Sequence, residues 1–284
     1  MNEKIYPVIF ALISVLLWAS VATLSSFMIH LPPFYVLGIS FLIGSLPAFF
    51  KVKKMFPHWK IILWGVTGYF GYHFCLFYSF RFAPVIEANL INYLWPVLMI
   101  LLTPLFFVDH KLKIHHFIGA IISIMGCILL VLNNGAKETR TESLKGYTLA
   151  LLAAIVWPLY SIVKKKMGEI SVWSIGSFCF FTGLLCFTTH LVIEPRVVLQ
   201  WHDFWKMVLL GLGPFGLAFY TWDLALKLGD SRVIGSLAYL TPALSTLGLI
   251  IFAGKEMMPS TFAAMILIIL GASTGLLDIY SPKR

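Results

Sequence analysis

The chain has 284 residues, of which 60% are hydrophobic and only 12% charged, and it carries a formal net charge of +9. A mean hydropathy of +0.90 leaves too little polar surface to cover a soluble globule, so the solvent implied is lipid, and a soluble helical bundle is excluded for want of charged faces. The positive charge suits an anionic lipid face; no nucleic-acid motif accompanies it, and no nucleic-acid partner is expected.

Apolar runs of about 20 residues, the length that crosses a bilayer, predict ten spans. They lie at 6–29, 33–50, 60–81, 85–107, 114–132, 146–166, 171–193, 206–227, 232–252 and 260–279. The first begins close to Met1 with no small-residue cleavage site behind it and reads as a retained helix. The longest connection, 133–145, has room for no second core, so no soluble catalytic domain is expected. With the N-terminus inside, fourteen Lys and Arg fall at inner ends, Lys51, Lys53, Lys54 and Lys164 among them. Seven, including Arg81, Arg196 and Lys255, fall at outer ends, which places both termini in the cytoplasm. Cys75, Cys127, Cys179 and Cys186 all lie within spans and read as small apolar packing residues.

The fourth and ninth spans carry the same interruption. Asn92-Tyr93-Leu94-Trp95-Pro96 in one answers Ala238-Tyr239-Leu240-Thr241-Pro242 in the other. The alignment extends: Phe117 and Gly126 fall over Phe262 and Gly271, and Trp18 answers Trp157. The chain is thus predicted to be two five-helix repeats, residues 1–135 and 136–284. Because five is odd, the second enters the membrane from the opposite side, giving an all-α, 5+5 inverted repeat around a central cavity. Pro96 and Pro242 lack an N–H and displace the carbonyls of Asn92 and Ala238, four residues earlier. In lipid such freed carbonyls need another donor, so broken helices are tolerated where they line a cavity. This is the pattern of a membrane transporter.

Helical periodicity gathers the polar and aromatic residues onto faces. Asn89, Asn92, Tyr93 and Pro96 share a face of span four, with Trp95 at its edge, and Gly235, Ala238, Tyr239, Pro242, Ser245 and Thr246 form a small, polar stripe on span nine. Tyr69, Tyr72, His73 and Phe80 share a face of span three; Trp157, Tyr160, Ser161 and Lys164 share one of span six; Ser14, Trp18 and Ser25 share one of span one. Trp18, Tyr72, His73, Asn92, Tyr93, Trp95, Trp157 and Tyr239 are the expected substrate-binding residues, a wall of flat rings with a few hydrogen-bonding tips suited to a partly apolar organic solute. Phe178, Phe180 and Phe181 are expected to face lipid or core.

His73 is the readily titrating group near the midplane, either a neutral imidazole donating to a neighbouring helix or a proton carrier. Glu87 and Asp223 lie nearer the ends of their spans, Glu87 points away from the Asn92 and Tyr93 face, and no buried carboxylate marks a proton or sodium site. Facilitated movement is the expectation, with proton exchange through His73 the alternative. Enzyme chemistry would need a nucleophile, an acid/base pair or metal ligands at one depth. His73 has no carboxylate on its face and His115-His116 lacks the acidic partner of a zinc motif, so no catalytic residue, cofactor or metal is expected. Gly271-Ala272-Ser273-Thr274-Gly275 is a small-residue face for a weak homodimer or for packing within a monomer.

Over nearly its whole length the chain resembles the drug/metabolite transporter superfamily, in particular the EamA-type ten-helix carriers and their aromatic amino-acid exporter branch. The Asn92 to Pro96 motif, its Tyr239 to Pro242 counterpart, Tyr72-His73 and Trp157 carry the resemblance. It implies a bacterial inner-membrane exporter of amino acids or related metabolites, with Tyr72, His73, Tyr93, Trp95 and Trp157 lining the cavity. Similar frames carry threonine, drugs, nucleobases or S-adenosylmethionine, and an aromatic wall also suits flat cations. A scaffold or receptor remains the reading outside transport.

Overall fold

A computed structural model of the chain describes residues 5–108, 112–135, 141–238, 240–254 and 259–274. The described secondary structure is helical. Span one is α1 (Ile5–Ser26), span two α2 (Pro33–Phe49), and a short α3 (Val52–Met55) leads into span three, α4 (Trp59–Ser79). Span four is split into α5 (Val85–Asn92) and α6 (Trp95–Phe106); span five is α7 (Ile114–Gly135). Spans six and seven are α8 (Thr141–Lys166) and α9 (Ser174–Ile193). Span eight runs through α10 (Trp201–Leu212), a π-helical turn at Gly213–Leu217 and α11 (Ala218–Leu228). Span nine is split into α12 (Ser231–Leu237) and α13 (Leu240–Ala253), and span ten is α14 (Pro259–Ser273). Five of these, Ile5–Ser26, Trp59–Ser79, Ser143–Lys166, Ser174–Ile193 and Trp201–Leu228, are each long and apolar enough to cross a membrane unbroken.

Both predicted breaks are present. α5 stops at Asn92 and α6 starts at Trp95 with Pro96 in its first turn, where a missing N–H costs nothing; Pro242 likewise lies in the first turn of α13. Pro47, Pro104 and Pro158, by contrast, lie inside continuous helices.

The packing follows the repeat. α2 lies against α9 and α7 against α14, each pair being the same span from the two halves. The α4–α8 contact is matched by α1–α11, and α6–α8 by α1–α13, as exchange of the halves requires. A two-fold relation between five-helix units produces this pairing, and the odd span number makes it an inverted one. Lipid offers no hydrophobic drive between helices, so close approach of small residues holds them together. A Cβ on Gly119 of α7 would lie 2.1 Å from the Gly271 carbonyl oxygen of α14, and one on Gly126 2.8 Å from that of Ala264. Gly271 is therefore used for packing within the chain; Gly275 lies outside the described residues.

Glu194 after α9 caps α2. Its carboxylate accepts the N–H groups of Phe34 at 3.1 Å and Tyr35 at 3.3 Å, donors that the start of α2 leaves without helical partners.

Candidate functional site

Where α1, α6, α8 and α11 meet, the rings pack on one another. Trp18 of α1 stands edge-on to Trp157 of α8 at 5.7 Å between centroids and to Trp95 of α6 at 6.4 Å. Trp222 of α11 completes the group, 5.1 Å from Trp18 and 5.6 Å from Trp95. Trp18 and Trp157, counterparts in the repeat, thus touch each other where the halves join. Edge-to-face geometry places the positive ring edge on a negative face. The Trp18 indole N–H donates to the Pro214 carbonyl at 3.2 Å, in the π-helical turn whose geometry leaves carbonyls outside the regular ladder.

Tyr72 of α4 joins this group through Trp157, at 5.4 Å. Its hydroxyl accepts from the Asn92 side-chain NH2 at 3.1 Å, at the point where α5 ends. Asn92 is buried, and its carboxamide oxygen has no hydrogen-bond partner among the described residues. Tyr93 is half-buried, with its hydroxyl beside Asn89 of its own span and Ser245 of α13, where the two broken spans meet. Tyr239 lies outside the described residues.

His73 occupies a second layer. It is buried, with Phe41 at 4.8 Å, Tyr72 at 4.8 Å and Phe215 at 5.5 Å around its ring. Its Nδ1 is 2.7 Å from the Tyr69 carbonyl oxygen, which can only accept, so Nδ1 carries the proton and the tautomer is set. The donation goes one turn back along its own helix and not to a neighbouring one, because the neighbouring surfaces of α2 and the π-helical turn present Phe41 and Phe215.

Some face assignments need correction. Phe80 shares its periodicity with Tyr72 but packs beside Phe77, away from the tryptophans, at the C-terminal end of α4. Ser14 clamps α1 to α11 by bonding to the Ala218 carbonyl at 2.9 Å and the Thr221 hydroxyl at 2.7 Å. Phe178 is core: it contacts Tyr69 and Tyr160. Glu87 and Asp223, expected near the ends of their spans, are buried, 3% and 6% exposed, and each has a partner on another helix. Glu87 accepts from the Tyr147 hydroxyl of α8, and Asp223 pairs with Lys164 and Lys227. Depth along a span says nothing about a partner on a distant helix, which is why sequence reasoning missed these pairs.

Sequence reasoning also left out Trp222, Phe219 and Tyr69 as site residues. Phe219 contacts Trp18, Trp157 and Tyr69, the last at 4.5 Å. A signal existed for Phe219: the offset that sets Tyr93 over Tyr239 also sets His73 over Phe219. Trp222 has Leu76 as its counterpart, and repeat logic does not find it.

Two interlocked five-helix units, with a broken helix in each and a cluster of rings where they meet, define a multi-pass membrane carrier. The profile of the EamA-like transporter family matches residues 5–132 and 144–274, and the chain belongs to that family, within the drug/metabolite transporter superfamily. It is 32% identical to the aromatic amino acid exporter YddG of Ancylobacter novellus over 92% of this chain and 93% of that protein. It is 27% identical to the aromatic amino acid exporter YddG of Escherichia coli over 65% and 66% of the two chains. A solved crystal structure of a protein 31% identical in sequence matches with a TM-score of 0.84, covering 97% of this chain and 98% of that one.

Proposed function

We propose that this carrier exports aromatic or other large neutral amino acids across the bacterial inner membrane by facilitative alternating access. Both termini would be cytoplasmic, the repeats would divide at 135/136, and the protein would act as a monomer or weak homodimer without enzymatic chemistry. The observation that carries the reading is the mutual contact of Trp18, Trp95, Trp157 and Trp222 where the two repeats meet. Relatives named as aromatic amino acid exporters support it.

Trp18, Tyr72, Asn92, Tyr93, Trp95, Trp157 and Tyr239 are assigned to the cargo site, with His73 supporting Tyr72 from behind. The rings fill their own site, so cargo enters only as they part. Aromatic pairs are worth about 0.5–1.5 kcal/mol each beyond their buried area, and an incoming ring replaces such contacts with similar ones. A strongly polar cargo would not restore them. The orphan Asn92 oxygen adds a hydrogen-bond acceptor to the site.

The test is counterflow of radiolabelled phenylalanine into proteoliposomes loaded with single unlabelled amino acids or metabolites, with and without a proton gradient. Accumulation driven by internal aromatic amino acids and indifferent to the gradient is expected. Exchange only with a different metabolite would overturn the cargo, and dependence on the gradient would overturn the facilitative mechanism.

A further inference from the structure

Directly beside the tryptophan cluster lies a buried ion cluster. Lys164 of α8 and Asp223 of α11 are 5% and 6% exposed, and the Lys164 ammonium donates to Asp223 Oδ1. The Lys227 ammonium is 3.0 Å from the other carboxylate oxygen. Both elements also feed the aromatic site. Asp223 follows Trp222, and Lys164 lies one turn beyond Tyr160, whose ring is 5.4 Å from Trp157. Lys164 further covers the face of Phe178 at 5.7 Å. The ions thus form a floor at the lysine-rich ends of α8 and α11, with the rings above them.

Ionisable groups inside a membrane bundle are costly and mark function by default. The fold itself does not require this pair. By the offsets that align Trp18 with Trp157 and Tyr93 with Tyr239, Lys164 corresponds to Ser25 and Asp223 to Phe77, neither of them charged. Lys227 corresponds to Arg81, which faces Glu194 at 3.8 Å. The Lys164–Asp223 pair is therefore an asymmetry between two otherwise matched halves.

Resting on the amino-acid reading above, we propose that the Lys164–Asp223 pair is the head-group site for a zwitterionic amino acid loading from the cytoplasmic side. The cargo carboxylate takes Lys164, its ammonium takes Asp223, and its side-chain ring moves in among the tryptophans. The exchange is neutral: every buried charge leaves one partner for another, avoiding the large cost of a buried ion without a counter-ion. A solute with only an amine leaves Lys164 without an anion, and one with only a carboxylate leaves Asp223 to Lys227 alone, so the site disfavours both.

The experiment is phenylalanine counterflow with phenethylamine or 3-phenylpropionate as competitor, on the wild type and on Lys164→Met, Asp223→Asn and the double variant K164M/D223M. On the wild type, each half-headed analogue is expected to compete at least about tenfold more weakly than phenylalanine. Lys164→Met should narrow the gap for phenethylamine, and Asp223→Asn the gap for 3-phenylpropionate. The double variant replaces the pair by apolar bulk, a change that buried ion pairs commonly tolerate, and is expected to keep its thermal stability while losing the preference for the zwitterion. A double variant with wild-type KM and unchanged ranking would show a structural brace and overturn the proposal. Equal competition by all three compounds on the wild type would overturn it without any variant. Wild-type protein that exchanges another solute but not phenylalanine would remove the amino-acid reading and this proposal together, whereas normal wild-type counterflow with unaltered variants removes this proposal alone.

Discussion

Tyr72 and His73 are neighbours on one helix, yet they belong to different layers. Tyr72 reaches Trp157 of the second repeat and the end of a broken helix. His73 is enclosed by Phe41 and Phe215 and is held by a carbonyl of its own helix. The comparison separates a ring that contacts the tryptophan cluster and a helix break from one enclosed by phenylalanines of both repeats. An aromatic side chain on a shared helical face can be either, and its partners decide which.

Trp157→Ala should break the tryptophan layer most severely. Lost ring contacts at about 0.5–1.5 kcal/mol each convert to about a ten- to hundredfold fall in counterflow, with the protein still inserted. Unchanged flux in this variant would remove the tryptophans from the site. Tyr72→Phe deletes the acceptor of the Asn92 side chain and should lower detergent-solubilised stability by about 1–3 kcal/mol, the cost of a buried donor left unpaired. A thermal melt identical to wild type would mean that this bond does not hold the helix break. His73→Phe keeps ring volume and loses one hydrogen bond, so about 1 kcal/mol and a few-fold reduction in flux are expected. Its response to a proton gradient should match the wild type, and a selective loss of that response would make His73 a proton carrier instead of a wall. Phe181→Ala gives the smallest change, within about twofold, because lipid tails substitute for a half-buried ring that touches Phe56 and Phe180. A fall comparable with that of Trp157→Ala would erase the distinction between the layers.

Much of this was legible in the residues. The span positions, the breaks at Pro96 and Pro242 and the equivalence of Trp18 with Trp157 follow from hydropathy length and internal alignment. Proline alone did not locate the breaks, since Pro158 sits in the unbroken α8. The matched Tyr-Leu-x-Pro pair did, because symmetry filters out prolines that the bundle absorbs. The π-helical turn of span eight was not legible: Gly213-Pro214 has the look of a simple kink, and the turn packs against α2, which no local pattern records.

The sequence by itself determined that the chain lives in lipid, that it is a duplicated five-helix unit of opposite orientations, and which helices must be irregular. These are properties of segment length, hydropathy and parity, which depend only on local order along the chain. Tertiary structure decided which rings meet, that Trp222 and Phe219 belong with Trp18, that His73 stands one layer back, and that Lys164 finds Asp223. Those outcomes depend on the angular setting of α1, α4, α8 and α11 about one another. Close packing sets that angle, and a helical period seen from a single strand of sequence carries no record of it.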